Sequence, residues 1–176
     1  MLDVNKNKGQ YLPYLRNLNV QWLRFDLSDV KELRFESGEV EEYSLKVGDL
    51  LVCEGGEPGR CAIWDNPEMQ MMFQKAIHRV RPFGGIVPKY ILYHLWADAK
   101  NGTLDKYFTG ATIKHFTGKA LATYVCALPP LAEQQRIVAR VEQLLGLCDV
   151  LEAKLQAAQT QREKLVGAVV AGVAAG

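Results

Sequence analysis

The last third of the chain carries a heptad rhythm that restricts its fold more than anything before it. Ile137, Val141, Leu144, Cys148, Leu151, Leu155, Ala158, Arg162, Leu165 and Val169 follow one another at alternating intervals of four and three, without a slip. Only Arg162 interrupts the apolar series. This spacing puts every member on one narrow seam of an α-helix, the pattern of a coiled coil rather than of a helix docked on a domain. Pro129 and Pro130 fix where it begins. A residue that precedes proline is pushed out of the α region, whereas proline itself is tolerated in a first helical turn. Glu133 then meets the positive end of the helix dipole. From Leu131 to Ala171 such a helix spans roughly 60 Å, at about 1.5 Å per residue. A seam of this kind is stable only when buried. Residues 1–128 hold no second heptad segment, so the partner must come from another chain or from a further part of the same subunit.

Residues 1–128 read as a globular domain of mixed α and β structure, and residues 129–176 as the helix. "YLPYLRNLNVQWLRFDL" predicts a short strand after a turn. In "SDVKELRF", Ser28 is a plausible N-cap for one helical turn. "LLVC" (Leu50–Cys53) and "CAIW" predict two strands of a hairpin around the Gly/Pro loop "GGEPGR". "MQMMFQKAIHRVRP" predicts another strand, with Ala76, His78 and Val80 on one face, ended by Pro82. Beyond Pro88 the period becomes helical: Ile91, Leu92, Leu95 and Trp96 form one stripe, and Asn101-Gly102 stops it. "TGATIKHFTG" predicts a loop. "KALATYVCALPP" is compatible with a helical turn or a strand. Trp22, Trp64 and Trp96 are expected in the core.

Charge is distributed unevenly in a chain of net charge +1. Residues 1–70 hold eight Lys/Arg against thirteen Asp/Glu, whereas residues 71–128 hold eight against two, and all three histidines. The second segment therefore suggests a face turned to a polyanion. Cys53, Cys61, Cys126 and Cys148 form no CxxC pair and no zinc-like cluster, which predicts reduced thiols, no metal site and a cytoplasmic setting. Met1–Gln10 is polar and lacks the apolar core of a secretory leader. Val166–Ala175 is too short to span a bilayer. No phosphate loop, dinucleotide fingerprint or nucleophile elbow is present, so no catalytic residue is expected.

Taken together, "YLRNLNV", "LKVGDLLVCEGGEPGRCAIW", "QKAIHRVRP", "TGATIKHFTGKAL" and above all "LPPLAEQQRIVARVEQLL" with "CDVLEAKL" resemble the specificity subunits of type I restriction-modification enzymes. The resemblance covers nearly the whole chain. It implies an α+β target-recognition domain followed by a long coiled-coil helix. In that family two such domains are held apart by antiparallel helices and read two halves of a bipartite DNA site. One domain and one helix are present, so the chain is expected to be a half-subunit or an excised part. The resemblance further implies a non-catalytic chain that binds double-stranded DNA and docks methyltransferase and restriction subunits. S-adenosylmethionine, ATP and Mg²⁺ would sit on those partners and no cofactor on this chain. Homodimerisation through the helix, or pairing with a second half of the subunit, would satisfy the seam. The competing reading is a structural coiled-coil assembly module that binds no DNA.

For DNA, phosphate contacts by Lys and Arg supply affinity, and a few side chains at base edges supply specificity. Arg60 lies at the hairpin tip, where a guanidinium can pair with guanine. Thr112, Lys114 and His115 lie in the "TGATIKHFTG" loop, with Lys119 just beyond. Arg16, Asn17 and Asn19 offer phosphate and adenine chemistry. Arg79 and Arg81 are as suited to ion pairs as to DNA. Taken singly, each of Arg60, Thr112, Lys114, His115, Lys119, Arg16, Asn17 and Asn19 reads first as a surface or turn residue; as a set they point to DNA.

Overall fold

The computed structural model describes residues 8–174. Met1–Asn7, most of the polar stretch read above, lie outside the described residues, as does the side chain of Val169. Contacts divide the chain into two units, Met1–Gln134 and Gln135–Gly176.

In the first unit, strand β5 (Leu50–Cys53) lies between two hydrophobic cores. Its side chains alternate in direction, as in any strand. Leu51 and Cys53 enter one core with Leu15, Phe35, Trp64 and Met72. Leu50 and Val52 enter the other with Cys61, Leu92, Leu95, Leu104 and Phe116. All four β5 residues are therefore fully buried, which explains an unbroken apolar run in place of an alternating one. Antiparallel neighbours flank it: β6 (Cys61–Ile63) on one side and β8 (Ile77–Val80) on the other.

A second sheet has the order β4-β1-β7, with β1 at Gln10–Leu15, β4 at Lys31–Phe35 and β7 at Met72–Phe73. β1 runs antiparallel to β4 and parallel to β7. A small hairpin joins β2 (Val20–Gln21) to β3 (Arg24–Phe25). Helix α1 spans Ser37–Tyr43, α2 Pro88–Lys100 and α3 Gly118–Leu121.

Two expectations are corrected here. No helical turn follows Ser28. The Ser28 backbone N–H and hydroxyl both donate to Asp26 Oδ1 and close a turn, after which Lys31–Phe35 is a strand. Its Leu33 and Phe35 point inward while Glu32 is exposed, a period of two. The helix forms one segment later, where Glu36 and Glu39 cap α1 reciprocally. The strand expected over Met69–Pro82 is broken at Gln74, whose carbonyl accepts from Ile77 N, and its halves β7 and β8 join different sheets. Of the three tryptophans, Trp64 is core at 1% exposure, whereas Trp22 and Trp96 are half-buried.

Helix α4 runs from Leu131 to Ala174 and its 44 residues make it about 66 Å long. Its start is built as the two prolines dictate: Pro130 O accepts from Glu133 N and Gln134 N. Along the seam Ile137 and Val141 are half-buried, whereas Leu144, Cys148, Leu151, Leu155 and Leu165 are exposed. Leu147 and Val150 are exposed as well and widen the apolar face around Cys148.

Candidate nucleic-acid interface

Three segments far apart in sequence converge on the backbone at Gly55. Asn17 Nδ2 donates to Gly55 O at 3.2 Å. The His115 ring lies 3.4 Å from where a Gly55 side chain would begin. Phe116 N donates to Glu54 O at 2.7 Å. The 3-10 turn Asn17–Asn19, the hairpin tip and the Thr109–Phe116 loop thus form one surface.

The hairpin tip is held from within. Gly59 adopts φ +87°, and a side chain there would meet Leu104 at 2.4 Å, so only glycine fits against the second core. Arg60 Nη2 donates to Asn17 O at 2.8 Å, and Nη1 pairs with Glu57 at 3.3 Å. Glu57 also accepts from the Trp22 indole N–H. The Arg60 side chain is only 15% exposed. Its guanidinium closes the tip onto the neighbouring turn and is not presented for a base edge. Arg16 and Asn19 are likewise committed. Arg16 Nη2 donates to both Asp29 O and Asp29 Oδ2, and Asn19, fully buried, donates to Asp26 O and Asp29 O. Together they clamp the Asp26–Asp29 turn. The hydrogen bond from Arg16 holds the Asp29 carboxyl below its ordinary range. Asn17 instead ties its own 3-10 turn to the hairpin tip, through Gly55 O.

The loop residues are placed differently. Thr109 and His115 exchange two backbone hydrogen bonds, of 2.9 and 2.8 Å, around the five residues Gly110–Lys114. Gly110, at φ +95°, lies so close to the Ile113 carbonyl that a side chain would overlap it at 2.2 Å. Beneath the loop Phe116 is fully buried and packs edge-on against Phe108, with ring centroids 5.7 Å apart. Thr112, Ile113, Lys114 and His115 are all exposed on this anchored frame. Lys114 Nζ lies 3.3 Å from Asp105 on the 3-10 turn Thr103–Tyr107, which also carries the exposed Lys106. Lys119, in α3, is exposed and makes no ion pair among the described residues.

Histidines stitch the loop to the sheet. His78 Nε2 donates to Phe116 O at 2.8 Å, a bond that fixes its tautomer. Glu54 stands between the rings, 3.7 Å from His78 and 3.9 Å from His115. A second network joins α2 to the stretch after α3: His94 Nδ1 meets Tyr124 Oη at 2.6 Å, and Tyr124 donates to Asp98 at 2.8 Å. Burial, then this bond to Asp98, pushes the Tyr124 phenol far up, so it remains a donor.

The structure therefore spends Arg79 on the carbonyls of Glu42 and Ser44, and Arg81 on Asp49. Lys106, Lys114 and Lys119 remain toward solvent. Sequence reading missed Gln134. It is 4% exposed, accepts from Val87 N ahead of α2 and donates to Pro129 O, so within the first unit it ties the Pro129–Gln134 segment to the residue that precedes α2. Its place beside Pro-Pro was the available signal, but its partner lies 47 residues away.

The family model described as the type I restriction modification DNA specificity domain matches residues 2–159. This chain belongs to that family. Its specificity-domain fold also resembles a chain from a solved type I R-M system, described in terms of complex assembly and conformational transition. The TM-score is 0.68, identity is 20%, and 90% of this chain and 37% of that one are covered. Among curated relatives, the EcoKI specificity subunit of Escherichia coli K12 is 27% identical over 90% of this chain and 36% of its own length. The EcoEI specificity subunit of Escherichia coli is 26% identical, covering 88% and 27%. A putative specificity subunit of Haemophilus influenzae is 29% identical, covering 70% and 31%. The chain thus spans about a third of the length of the relatives it matches. Among the described residues no helix of this specificity domain is long and apolar enough to cross a membrane.

Proposed function

We propose that this chain is the DNA-reading, non-catalytic component of a type I restriction-modification complex. Its head reads one half of a bipartite site, while other surfaces dock the methyltransferase and restriction subunits. S-adenosylmethionine binds the methyltransferase, and ATP and Mg²⁺ bind the restriction subunit. Helix α4 pairs antiparallel with a second copy of the chain, or with a second helical region of the subunit, and sets the spacing between half-sites. An antiparallel pairing spares Arg162 from facing its own copy.

The observation that carries this reading is the cluster of Lys106, Thr112, Lys114, His115 and Lys119 about one anchored loop, in a member of a DNA specificity family. A rigid frame with exposed cations at a loop suits phosphate positioning, and the loop residues between them suit base contact. The exposed seam from Leu144 to Leu165 supports the pairing.

The test is DNA selection with the chain reconstituted with its methyltransferase, followed by binding of Lys119→Ala to the selected and a scrambled duplex over a salt series. Loss of a phosphate contact weakens both duplexes alike and lowers the salt slope by about one. A complex that selects no sequence would leave the assembly-module reading in its place. A monomer by sedimentation equilibrium at high micromolar concentration would rule out self-pairing of α4.

A further inference from the structure

The Thr109–His115 loop holds an apolar side chain where its chemistry has no use inside the protein. Ile113 is 67% exposed at the tip, between the hydroxyl of Thr112 and the cation of Lys114. A lone exposed isoleucine is ordinary on a protein surface. The frame beneath this one is not that of a loose surface loop. The Thr109–His115 bridge, the buried Phe116 and the close approach of Gly110 to the Ile113 carbonyl fix the backbone that carries it. The side chain is β-branched and stiff at χ1, so little rotamer freedom is lost when it is covered.

We propose, on the basis of the DNA-reading function above, that Ile113 is a specificity-determining residue that packs against the C5-methyl group of one thymine in the major groove. Three observations converge on this assignment. The loop is narrow, closed at its base by the single Thr109–His115 bridge, and carries its exposed residues at the tip, while the thymine methyl is the apolar mark displayed in the major groove. Lys114 and His115 follow Ile113 directly and Lys106 is close by through Asp105, which brings phosphate-seeking groups to the same edge. The guanidiniums of Arg16 and Arg60 and the amides of Asn17 and Asn19, all near this surface, are already bonded within the protein. Apolar contact from the loop is then a direct readout this surface can offer beside the hydroxyl of Thr112, the ammonium of Lys114 and the ring of His115.

The test replaces each thymine of the selected duplex in turn by deoxyuridine, which removes only the methyl group. Binding is measured for the parent complex and for complexes carrying Ile113→Ala and Ile113→Val. For the parent, one position should lose about fourfold in affinity, the value of one buried methyl group. At that position Ile113→Ala should show no further loss, and Ile113→Val should fall between. All three should bind the scrambled duplex equally at each salt concentration. The inference is overturned if the deoxyuridine penalties of Ile113→Ala match those of the parent at every position, or if no thymine in the selected site carries a penalty. A parent complex without sequence preference would instead overturn the DNA-reading function itself, and the inference with it.

Discussion

Arg81 grips Asp49 through two hydrogen bonds of 2.6 Å, Nε to Oδ1 and Nη2 to Oδ2. The aspartate is 1% exposed and the arginine 44%. Asp49 also accepts from Lys46 N, in the turn that leads into β5. The pair thus joins the end of β8 to the start of the central strand. Its cation balances a buried carboxylate.

Arg81→Ala leaves that carboxylate without its counter-charge. Breaking a fully buried pair costs about 3–5 kcal/mol, and the half-exposed arginine lowers the expected loss to roughly 2–3 kcal/mol. Thermal unfolding should shift down by roughly 6–10 °C. DNA binding by the folded fraction should be unchanged. A loss of affinity without a loss of stability would place Arg81 at the interface after all.

Acid should loosen the Asp26–Asp29 turn. The Asp29 carboxyl is lowered first by its hydrogen bond from Arg16, and the Asp26 carboxyl by hydrogen bonds from Ser28. A carboxyl lower in the folded chain than in the unfolded one stabilises the fold above its unfolded pKa of about 3.9. That contribution disappears as pH falls through the folded value. Asp29→Asn should therefore be less stable than the parent at neutral pH and converge with it at the acid end of a denaturation series. A constant difference at every pH would exclude this linkage.

Local patterns made much of this fold legible. The uninterrupted LLVC run, the Gly/Pro tip, the apolar stripe of α2 and the heptad beyond Pro-Pro each announced an element from its own neighbourhood. The errors arose where distant partners decide. Leu33 and Phe35 are strand residues because β1 lies beside them, and no local signal outweighed a plausible N-cap at Ser28. Met72 and Ile77 belong to separate sheets because β1 and β5 recruit them separately. The same limit applied to the site. Arg16, Asn19 and Arg60 are polar residues in loops, indistinguishable in sequence from groups facing DNA. Their carboxylate and carbonyl partners lie between seven and 43 residues away, apart from Glu57, three residues from Arg60.

Thiol chemistry should report both the core and the seam. Burial pushes the Cys53 thiol up to about 11 and raises Cys61 further. Burial, then the nearby Asp98, pushes the Cys126 thiol up to about 11. Cys148 is exposed on α4. Because the thiolate is the nucleophile, iodoacetamide at pH 8 should modify Cys148 first, Cys126 slowly, and Cys53 and Cys61 only on unfolding. Raising protein concentration should protect Cys148 if α4 pairs through its seam. Labelling of Cys148 at a rate independent of concentration, across a range where sedimentation shows dimer, would place the dimer contact elsewhere.

Asp105 offers the sharpest test of which cations face DNA. Its carboxylate lies 3.3 Å from Lys114 Nζ, and both side chains are more than half exposed, so the pair contributes little to stability. Beside a polyanion the same carboxylate opposes binding, both by its own charge and by holding the lysine. Asp105→Asn should leave thermal unfolding within about 0.5 kcal/mol of the parent, as for most surface substitutions. It should tighten binding to cognate and scrambled duplexes alike, and more so at low salt, where screening is weak. Lys114→Ala should do the opposite, and in the double variant the gain from removing the carboxylate should shrink, because the lysine it restrained is absent. Lys119, without such a restraint, should show its full effect in the parent background. The measurement is a double-mutant cycle of DNA affinity at two salt concentrations. If Asp105→Asn leaves affinity unchanged at both, phosphate does not approach this edge of the loop, and the contact surface must be sought around Lys100 or the exposed side of the Asn17–Asn19 turn.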